Sequence, residues 1–261
     1  MRWLLYRRGG LGDTLLTFPL LELLKKKGKE VWAVGNTDYF KIAKEVRWCD
    51  KVLCEIPKEE FEGRLLISFD GNIKPFPEKR VWIVEHLLKE SGLVGSFSKV
   101  LPLEPLEKSP LDRFAVLHPS SGSQKKNPRL ELFLRVENFL QKKGYRTIYL
   151  VGEADAFLKG LVKHYWESHE PLEIARALKK AVLFVGLDSG LSHLSAYCGV
   201  PTFIFYGPTD SIVWRPIGEK VCQISINLEC SPCFPNVCEG RECLSETKLF
   251  EAFLRAFNSF F

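Results

Sequence analysis

The sequence lacks the features that mark membrane-spanning and nucleic-acid-binding proteins. No apolar run in its 261 residues approaches the roughly 20 residues that a membrane-spanning helix needs. Only a short apolar stretch precedes Arg7 and Arg8, which is not the usual form of a secretory signal. Basic residues exceed acidic ones by only 37 to 32, too small an excess to indicate nucleic acid as a partner. The sequence therefore predicts a cytoplasmic protein.

Methionine and glutamine are scarce as well, with one and three residues, whereas lysine, glutamate and arginine are abundant. This bias is typical of heat-adapted proteins. The chain contains no repeat of solenoid period and no low-complexity segment. The chain as a whole has 46% hydrophobic and 26% charged residues, the composition of an ordinary globular enzyme.

Strand-like and helix-like segments alternate along the chain in two series. In the first, a strand at 3–6 leads through a glycine-rich turn into a helix at 14–27. In the second, a strand at 114–117 is followed by a helix at 130–143, and a proline-rich stretch at 101–112 separates the two series. The pattern predicts an α/β fold with two Rossmann-like domains that face each other across a cleft.

The predicted boundaries are 1–105 for the N-terminal domain, 106–246 for the C-terminal domain and 247–261 for a closing helix. This helix carries an apolar stripe at helical spacing, formed by Leu249, Phe250, Phe253, Leu254 and Phe257. Packing against the N-terminal domain is the first interpretation of the stripe, and docking to a membrane is the second.

The most informative segment is 186–210, which reads GLDSGLSHLSAYCGVPTFIFYGPTD. Asp188, Ser189 and Gly190 follow a predicted buried strand and precede a predicted helix. Small polar groups at the carboxyl end of a parallel strand, beside a helix N-terminus, are typical of phosphate sites. His193 lies four residues after Ser189 and so shares its helix face, where it either donates to a ligand or packs in the core.

Two further loops carry candidate site residues. The loop HPSSGSQKKNP at 118–128 suits a diphosphate, with Ser120 and Ser121 as hydrogen-bond donors and Lys125 as a charge, although a solvated loop has the same composition. The loop GGLGDTLLTFP at 9–19 places Asp13 where a carboxylate would repel a phosphate. Asp13 is therefore either a plain helix cap or a base that faces the cleft.

Four cysteines near the C-terminus have the spacing C-x2-C-x4-C-x4-C: Cys230, Cys233, Cys238 and Cys243. A zinc site, two disulfides, free buried thiols and an iron–sulfur cluster all remain open on this spacing. In each case the cluster is expected to be a structural clasp.

Taken together, the three motifs resemble the ADP-heptose:lipopolysaccharide heptosyltransferases, glycosyltransferase family nine. The resemblance implies the GT-B architecture, with the nucleotide sugar bound mainly by the C-terminal domain. It also implies an inverting enzyme that needs no metal or other cofactor. Such an enzyme moves a heptose from an ADP-sugar donor, ADP-heptose, to a hydroxyl group of a lipopolysaccharide inner-core acceptor of the Kdo–lipid A type.

Individual residues match positions of the family's motifs. Asp13 matches the catalytic base. The positions that match the donor site are Ser120, Ser121 and Lys125 for the phosphates, Glu153 for the ribose, Asp188, Ser189, Gly190 and His193 around the diphosphate and sugar, and Thr209 with Asp210 in the loop that lines the cleft.

The expected partners are a nucleotide-sugar donor and an anionic glycolipid, with peripheral contact at the inner face of the cytoplasmic membrane and no nucleic acid. Five basic residues of the N-terminal half are either contacts for the acceptor's carboxylates or phosphates or ordinary solvated charges: Arg7, Arg8, Lys74, Lys79 and Arg80. Two alternatives stay open. One is a GT-B transferase for another nucleotide sugar, and the other is a non-catalytic nucleotide-sugar-binding protein.

Overall fold

The computed structural model describes residues 2–236 and 238–261, apart from the side chains of Glu153 and Ala154. The chain forms two parallel α/β units in sequence, as predicted. Among the helices of these described residues, none combines the length and the apolar character that crossing a membrane requires.

The N-terminal unit is a four-stranded parallel sheet with the strand order β3-β2-β1-β4. Its strands are β1 (Arg2–Arg7), β2 (Glu30–Gly35), β3 (Lys51–Leu53) and β4 (Gly63–Ile67). Its helices are α1 (Leu11–Leu15), α2 (Phe18–Lys26), α3 (Thr37–Glu45) and α4 (Ile83–Ser91). Helices cover the sheet, so the centre of β2 is buried throughout and its sequence is a continuous apolar run.

The first predicted helix is divided into α1 and α2. Pro19 is the cause, because a proline has no N–H to donate and its ring clashes with the carbonyl group four residues earlier. The turn between the helices is held by Thr17, whose hydroxyl donates to the Thr14 carbonyl oxygen at 2.7 Å. The short α1 is thus free to take its own direction at the cleft.

The C-terminal unit is a six-stranded parallel sheet with the order β10-β9-β8-β5-β6-β7. Its strands are β5 (Phe114–His118), β6 (Arg146–Val151), β7 (Tyr165–Glu167), β8 (Leu183–Leu187), β9 (Thr202–Tyr206) and β10 (Val221–Ser225). Its helices are α5 (Glu131–Lys142), α6 (Pro171–Leu178), α7 (Gly190–Tyr197) and α8 (Glu246–Phe260). Strands β8 and β9 are buried along their whole length, as their β-branched and aromatic residues predict.

The closing helix α8 packs on the C-terminal unit, so the prediction that it covers the N-terminal domain is wrong. The Phe253 ring lies 5.6 Å from that of Phe203 on β9 and 5.8 Å from that of Phe139 on α5. Leu249, Phe253 and Phe257 of the stripe are buried against the C-terminal unit, whereas Phe250 and Leu254 are partly buried. The physical reason is that one face of β9 and β10 is apolar, and α8 is the helix that covers it.

The two units share one hydrophobic core. Tyr197 at the end of α7 packs against Phe18 of α2 and against Trp48, with ring centroids 6.3 and 6.0 Å apart. Helix α1 meets α7, and α3 meets α6. These contacts turn the carboxyl ends of both sheets toward a common cleft, which is the GT-B arrangement of two Rossmann-like domains.

Candidate active site between the two units

A cleft of about 680 Å³ lies between the two units. The loop after β1 supplies one wall, and the loops after β5, β6, β8 and β9 supply the other. Strand β1 lies between β2 and β4, and β5 lies between β6 and β8, so each unit has its topological switch point here. Open α/β sheets bind ligands at such points. The cleft is therefore the candidate active site.

Asp13 lines this cleft from the N-terminal unit. Its Oδ1 accepts a hydrogen bond from Arg7 Nη2 at 2.7 Å, and its Oδ2 accepts one from the backbone N–H of Gly10 at 3.0 Å. The bond from Gly10 closes the start of α1, while 27% of the Asp13 side chain stays exposed. Asp13 thus serves the helix start and also presents a carboxylate to the cleft.

Arg7 is the buried counter-ion of Asp13 rather than a solvated surface charge. Its side chain is only 8% exposed, and its ion pair in the described structure is with Asp13. The sequence predicted Arg7 either as a contact for the anionic groups of an acceptor or as a solvated charge. The charge of Arg7 is instead balanced within the protein, because the turn after β1 folds Asp13 back over it.

Gly12 and Gly190 allow the two units to approach closely at the cleft. A methyl group on Gly190 would lie 2.7 Å from Leu11 Cβ and 3.1 Å from the Gly12 nitrogen. A methyl group on Gly12 would lie 3.3 Å from His193 Cδ2. The first turns of α1 and α7 therefore meet with no room for side chains, which places Asp13 and the start of α7 at the same cleft.

Asp188 and Ser189 lie between β8 and α7, where the sequence placed them, and both are buried. Ser189 Oγ accepts the Ser192 N–H at 3.4 Å and so caps α7, whose first residue is Gly190. His193 Nε2 lies 3.8 Å from Asp188 Oδ1. All four predicted residues of this motif, including His193, line the cleft.

Asp188 is held in its ionised form. Burial raises the pKa of Asp188, but its interactions with His193, Lys126 and Thr209 together outweigh burial and hold the pKa below its ordinary value. A buried carboxylate of this kind stays charged only because cationic and donor groups surround it. Asp188 therefore acts as an anchor for the positive groups of this wall.

The two adjacent lysines of the 118–128 loop point in different directions. Lys125 Nζ donates to the Pro235 carbonyl oxygen at 2.7 Å, and Lys125 is not part of the cleft wall. Lys126 Nζ does line the cleft, where it donates to the Asp188 carbonyl oxygen at 2.7 Å and lies 3.2 Å from Asp188 Oδ2. The placement of Lys125 in the cleft is thus wrong by one residue, because residues 124–126 form a 3₁₀ turn that sends successive side chains about 120° apart.

Ser120 belongs to a buried cluster with His118 and Asp155. The Ser120 hydroxyl donates to Asp155 Oδ1, and His118 Nε2 lies 3.0 Å from Asp155 Oδ2. Burial raises the pKa of Asp155, but the hydrogen bond and charge of His118, with the Ser120 hydroxyl and the Gly152 N–H, lower it to about 2. Because its hydrogen is engaged by Asp155, Ser120 is placed to accept rather than donate a hydrogen bond.

Ser121 also lines the cleft, and its hydroxyl donates to Asn127 Oδ1 at 2.6 Å. The side chain of Glu153, which matches the ribose-binding acid, lies outside the described part of the structure. Asp155, two residues later, is the described carboxylate at this end of the cleft. Asp155 was not predicted as a site residue, although a carboxylate three residues after the glycine that follows a strand is a signal for a helix start.

Thr209 lines the cleft and is buried, whereas Asp210 joins the two units. Asp210 Oδ2 accepts a hydrogen bond from Arg80 Nε at 2.5 Å. Partial burial raises the pKa of Asp210, but Arg80 and backbone N–H groups outweigh burial and lower the pKa. Arg80, which the sequence predicted either as an acceptor contact or as a solvated charge, is thus engaged in a bridge between the units.

The four C-terminal cysteines are free thiols. Burial raises the pKa of Cys233 and Cys243, and the charges of the neighbouring thiols raise it further. Within the described residues, no three or more His, Cys, Asp or Glu side chains are arranged to hold a metal ion. No disulfide links these four described cysteines and only Cys243 among them is buried, so the zinc and iron–sulfur alternatives stay predictions.

Residues next to the second of the four cysteines, Cys233, form part of the cleft wall, which the sequence did not indicate. Phe234 lines the cleft, and Lys126 Nζ lies 5.8 Å from the centre of its ring. The backbone N–H groups of Cys233 and Phe234 both donate to the Pro208 carbonyl oxygen at 2.9 Å. The segment therefore holds an aromatic ring beside the lysine of the site.

A second cavity, of about 260 Å³, adjoins Asp13 on the side of the N-terminal unit. Asp13 and Phe76 line both this cavity and the main cleft. Arg8 and Phe69, with Phe69 exposed over 69% of its surface, contribute to the second cavity. Asp13 thus lies at the boundary between the main cleft and the second cavity.

The fold and the cleft together define a two-domain protein of the GT-B class. The sequence pattern of glycosyltransferase family 9 (heptosyltransferase) matches residues 103–243, more than half of the chain. The chain therefore belongs to glycosyltransferase family 9.

Curated relatives match over shorter segments. Lipopolysaccharide heptosyltransferase 3 of Escherichia coli K12 is 27% identical over 124 residues, which are 43% of this chain and 36% of the relative. Lipopolysaccharide heptosyltransferase 1 of Pseudomonas aeruginosa is 31% identical over 78 residues, 30% of this chain and 22% of the relative. The match thus spans about a third or less of the length of these relatives.

Solved structures share the fold along the whole chain. The glycosyl transferase family 9 protein of Veillonella parvula has a TM-score of 0.77 at 15% identity and covers 99% of this chain and 96% of its own. E. coli heptosyltransferase WaaC with ADP has a TM-score of 0.71 at 17% identity, with both chains fully covered. The iron-containing dodecameric heptosyltransferase TibC of E. coli, in complex with ADP-D-beta-D-heptose, has a TM-score of 0.75 at 16% identity and covers all of this chain and 76% of its own.

Proposed function

We propose that this protein is an inverting, metal-independent glycosyltransferase that moves a heptose from ADP-heptose to a hydroxyl group of an anionic glycolipid, a lipopolysaccharide inner-core acceptor of the Kdo–lipid A type. One observation carries the proposal: Asp13 of the N-terminal unit and the positive groups of the C-terminal unit line the same cleft. Membership of the family supports the reaction class. The names of the relatives support the acceptor, and the ligands of WaaC and TibC support the donor.

In this proposal the donor's diphosphate lies between the start of α7 and Lys126. The first N–H groups of a helix have no helical partner and carry partial positive charge, which favours a phosphate. A lysine ammonium has three hydrogens, and Asp188 takes two of those of Lys126. The third is free for a phosphate oxygen, and Asp188 fixes the direction in which it points.

The transfer itself is a direct displacement. The acceptor oxygen forms a bond to the anomeric carbon while the bond from that carbon to the diphosphate oxygen breaks, and its electron pair leaves with ADP. Asp13 takes the proton of the acceptor hydroxyl. A carboxylate is a weak base, but it suffices because the oxygen becomes acidic as it bonds to an oxocarbenium-like carbon.

The larger demand is the negative charge that develops on the departing diphosphate. Lys126 and the N-terminus of α7 line the same cleft as Asp13, from the C-terminal unit, and would neutralise that charge without a divalent cation. Inversion of configuration belongs to the same proposal, because a direct displacement brings the acceptor oxygen to the face of the anomeric carbon opposite the diphosphate.

The second cavity provides the acceptor's place in this proposal. Asp13 lines it as well as the main cleft, so a hydroxyl group entering from it would reach the base. The exposed Phe69 ring suits stacking on a sugar, and Arg8 at the same cavity suits an anionic substituent. Peripheral contact with an anionic membrane surface belongs to the same proposal, because the acceptor would be a lipid.

The test is the Asp13→Asn variant, assayed with ADP-heptose and a defined Kdo–lipid A acceptor. Loss of a general base lowers kcat by about 10² to 10⁴-fold, so we expect a loss in this range. Asp38→Asn is the matched control, since Asp38 is an exposed acid in the first turn of α3, paired with Lys41 and outside the cleft. Near-normal turnover by a folded Asp13→Asn variant would reject Asp13 as the base.

A further inference from the structure

Arg7 has an environment that is unusual for an arginine. It is the last residue of β1, its side chain is 8% exposed, and it borders a small space lined by apolar groups of Ile67, Ile83 and Leu87. A guanidinium keeps its charge at every ordinary pH, and burial of that charge is costly unless an anion neutralises it. Its partner in the described structure is Asp13, the residue proposed as the base.

The ion pair fixes the orientation of the Asp13 carboxylate. Arg7 Nη2 donates to Oδ1 at 2.7 Å, and the Gly10 N–H donates to Oδ2 at 3.0 Å. Each carboxylate oxygen offers about two lone-pair directions, so one direction on each oxygen is left for a ligand. Because the two donors bind different oxygens, they fix the plane of the carboxylate. The remaining lone pairs then have a defined direction toward the cavities that Asp13 lines.

The turn itself does not need the arginine. Both the backbone N–H and the hydroxyl of Thr14 donate to the Gly10 carbonyl oxygen at 3.1 Å, and these bonds with the Gly10 N–H to Asp13 close the start of α1. A buried ion pair is often no more stable than two apolar side chains of the same volume. An arginine at this position is therefore hard to account for by folding alone.

We propose that Arg7 is a positioning residue of the transfer reaction: its guanidinium holds the Asp13 carboxylate in the orientation in which it takes the acceptor's proton. The proposal rests on the proposed function, because it gives Arg7 a role through Asp13. Arg7 lines the second cavity beside Asp13 but is not part of the wall of the main cleft, where the donor diphosphate is proposed to lie. Its loss should slow the chemical step and leave donor binding unchanged.

The test compares Arg7→Met and Arg7→Lys with the unchanged protein in single-turnover transfer from ADP-heptose. We expect the rate constant of Arg7→Met to fall by about a hundredfold, the effect of a misplacement of about 1 Å in a catalytic group. We expect about a tenfold loss for Arg7→Lys, because lysine restores the charge but not the planar fork. The KM for donor should change by less than about threefold in both variants, since neither removes a contact to the donor.

Arg64→Met is the matched control, because Arg64 is an exposed arginine on the adjacent strand β4 and lines none of the cavities described above. It should retain the normal rate. Transfer by Arg7→Lys at the normal rate, or a rise in donor KM that accounts for the whole loss in Arg7→Met, would overturn the positioning role.

Thermal unfolding separates positioning from folding. Arg7→Met, Asp13→Asn and the double variant form a cycle, and the double variant should be more stable than Asp13→Asn because it leaves no buried charge without a partner. The double variant should nevertheless transfer no faster than Asp13→Asn. A rate restored together with stability would show that Arg7 serves only the fold, and absence of transfer by the unchanged protein would reject the proposed function instead.

Discussion

At the scale of single residues, the direction of a side chain decides its part in the site. Lys125 and Lys126 are neighbours of the same chemistry, yet one binds the Pro235 carbonyl and the other lines the cleft against Asp188. Sequence motifs place the loop correctly, but a 3₁₀ turn determines which lysine faces inward. The tertiary structure likewise sets the direction of the Ser120 hydroxyl, which donates its hydrogen to Asp155.

The two lysines provide a direct comparison. We expect Lys126→Met to lower kcat by about a hundredfold, because removal of a preorganised donor at a developing charge costs about this much. Lys125→Met, the matched control, should retain kcat within about threefold, since its ammonium group lies outside the cleft. Steady-state transfer assays measure both, and a larger loss in Lys125→Met would mean that the loop presents the other lysine to the donor.

At the scale of elements, the largest surprise is the position of α8. The apolar stripe of α8 was correctly predicted to be helical and to pack against the protein. The surface that it packs against was not predicted correctly, because an amphipathic pattern does not specify which surface the helix covers. Helix α3 and strands β7 and β10 are among the elements that the sequence pattern did not predict. Helix α3 had a signal, since the Asn36 side chain accepts the Asp38 N–H at 3.0 Å as a helix cap.

The packing of α8 predicts a strong dependence of stability on Phe253. Phe253→Ala should destabilise the protein by about 3–5 kcal/mol, the usual effect of removing a fully buried phenylalanine. Phe261→Ala, directly after the end of the same helix, should change stability by less than about 1 kcal/mol because 64% of Phe261 is already in contact with solvent. Denaturant unfolding measures both, and equal effects would contradict the packing of α8 on β9.

At the scale of the whole molecule, several interactions hold the two units together. Besides the shared core, Arg80 bridges to Asp210 at 2.5 Å, and Trp82 Nε1 donates to the Arg215 carbonyl oxygen at 2.6 Å. Both bonds connect the N-terminal unit with the segment after β9. A ligand in the cleft touches loops of both units, so its binding should stabilise the molecule as a whole.

Nucleotide binding should therefore raise the melting temperature. A ligand at a hundred times its Kd stabilises the native state by about 2.7 kcal/mol, or roughly 5–10 °C for a chain of this size. We expect ADP to produce such a shift in buffer that contains EDTA, and UDP and GDP to produce smaller ones. Thermal-shift measurements test this: equal shifts with UDP would contradict ADP as the donor nucleotide, and a requirement for Mg²⁺ would contradict metal independence.

The same experiment distinguishes the open alternatives. A shift with ADP in a protein that transfers no sugar would favour a non-catalytic binding protein. A larger shift with another nucleotide would favour a transferase for a different sugar donor.

The sequence by itself determined the two α/β series, the motif after β8 and the family to which the chain belongs. The two series and the place of the motif depend on local pattern, such as buried strands and small residues at strand ends, which the order of residues encodes directly. The family follows from the resemblance of the three motifs to those of its members. Only the tertiary structure decided that Arg7 is the partner of Asp13, that Lys126 rather than Lys125 faces the cleft, and that α8 covers β9. These depend on contacts between residues far apart in the chain or on the direction of a turn, and neither follows from spacing alone.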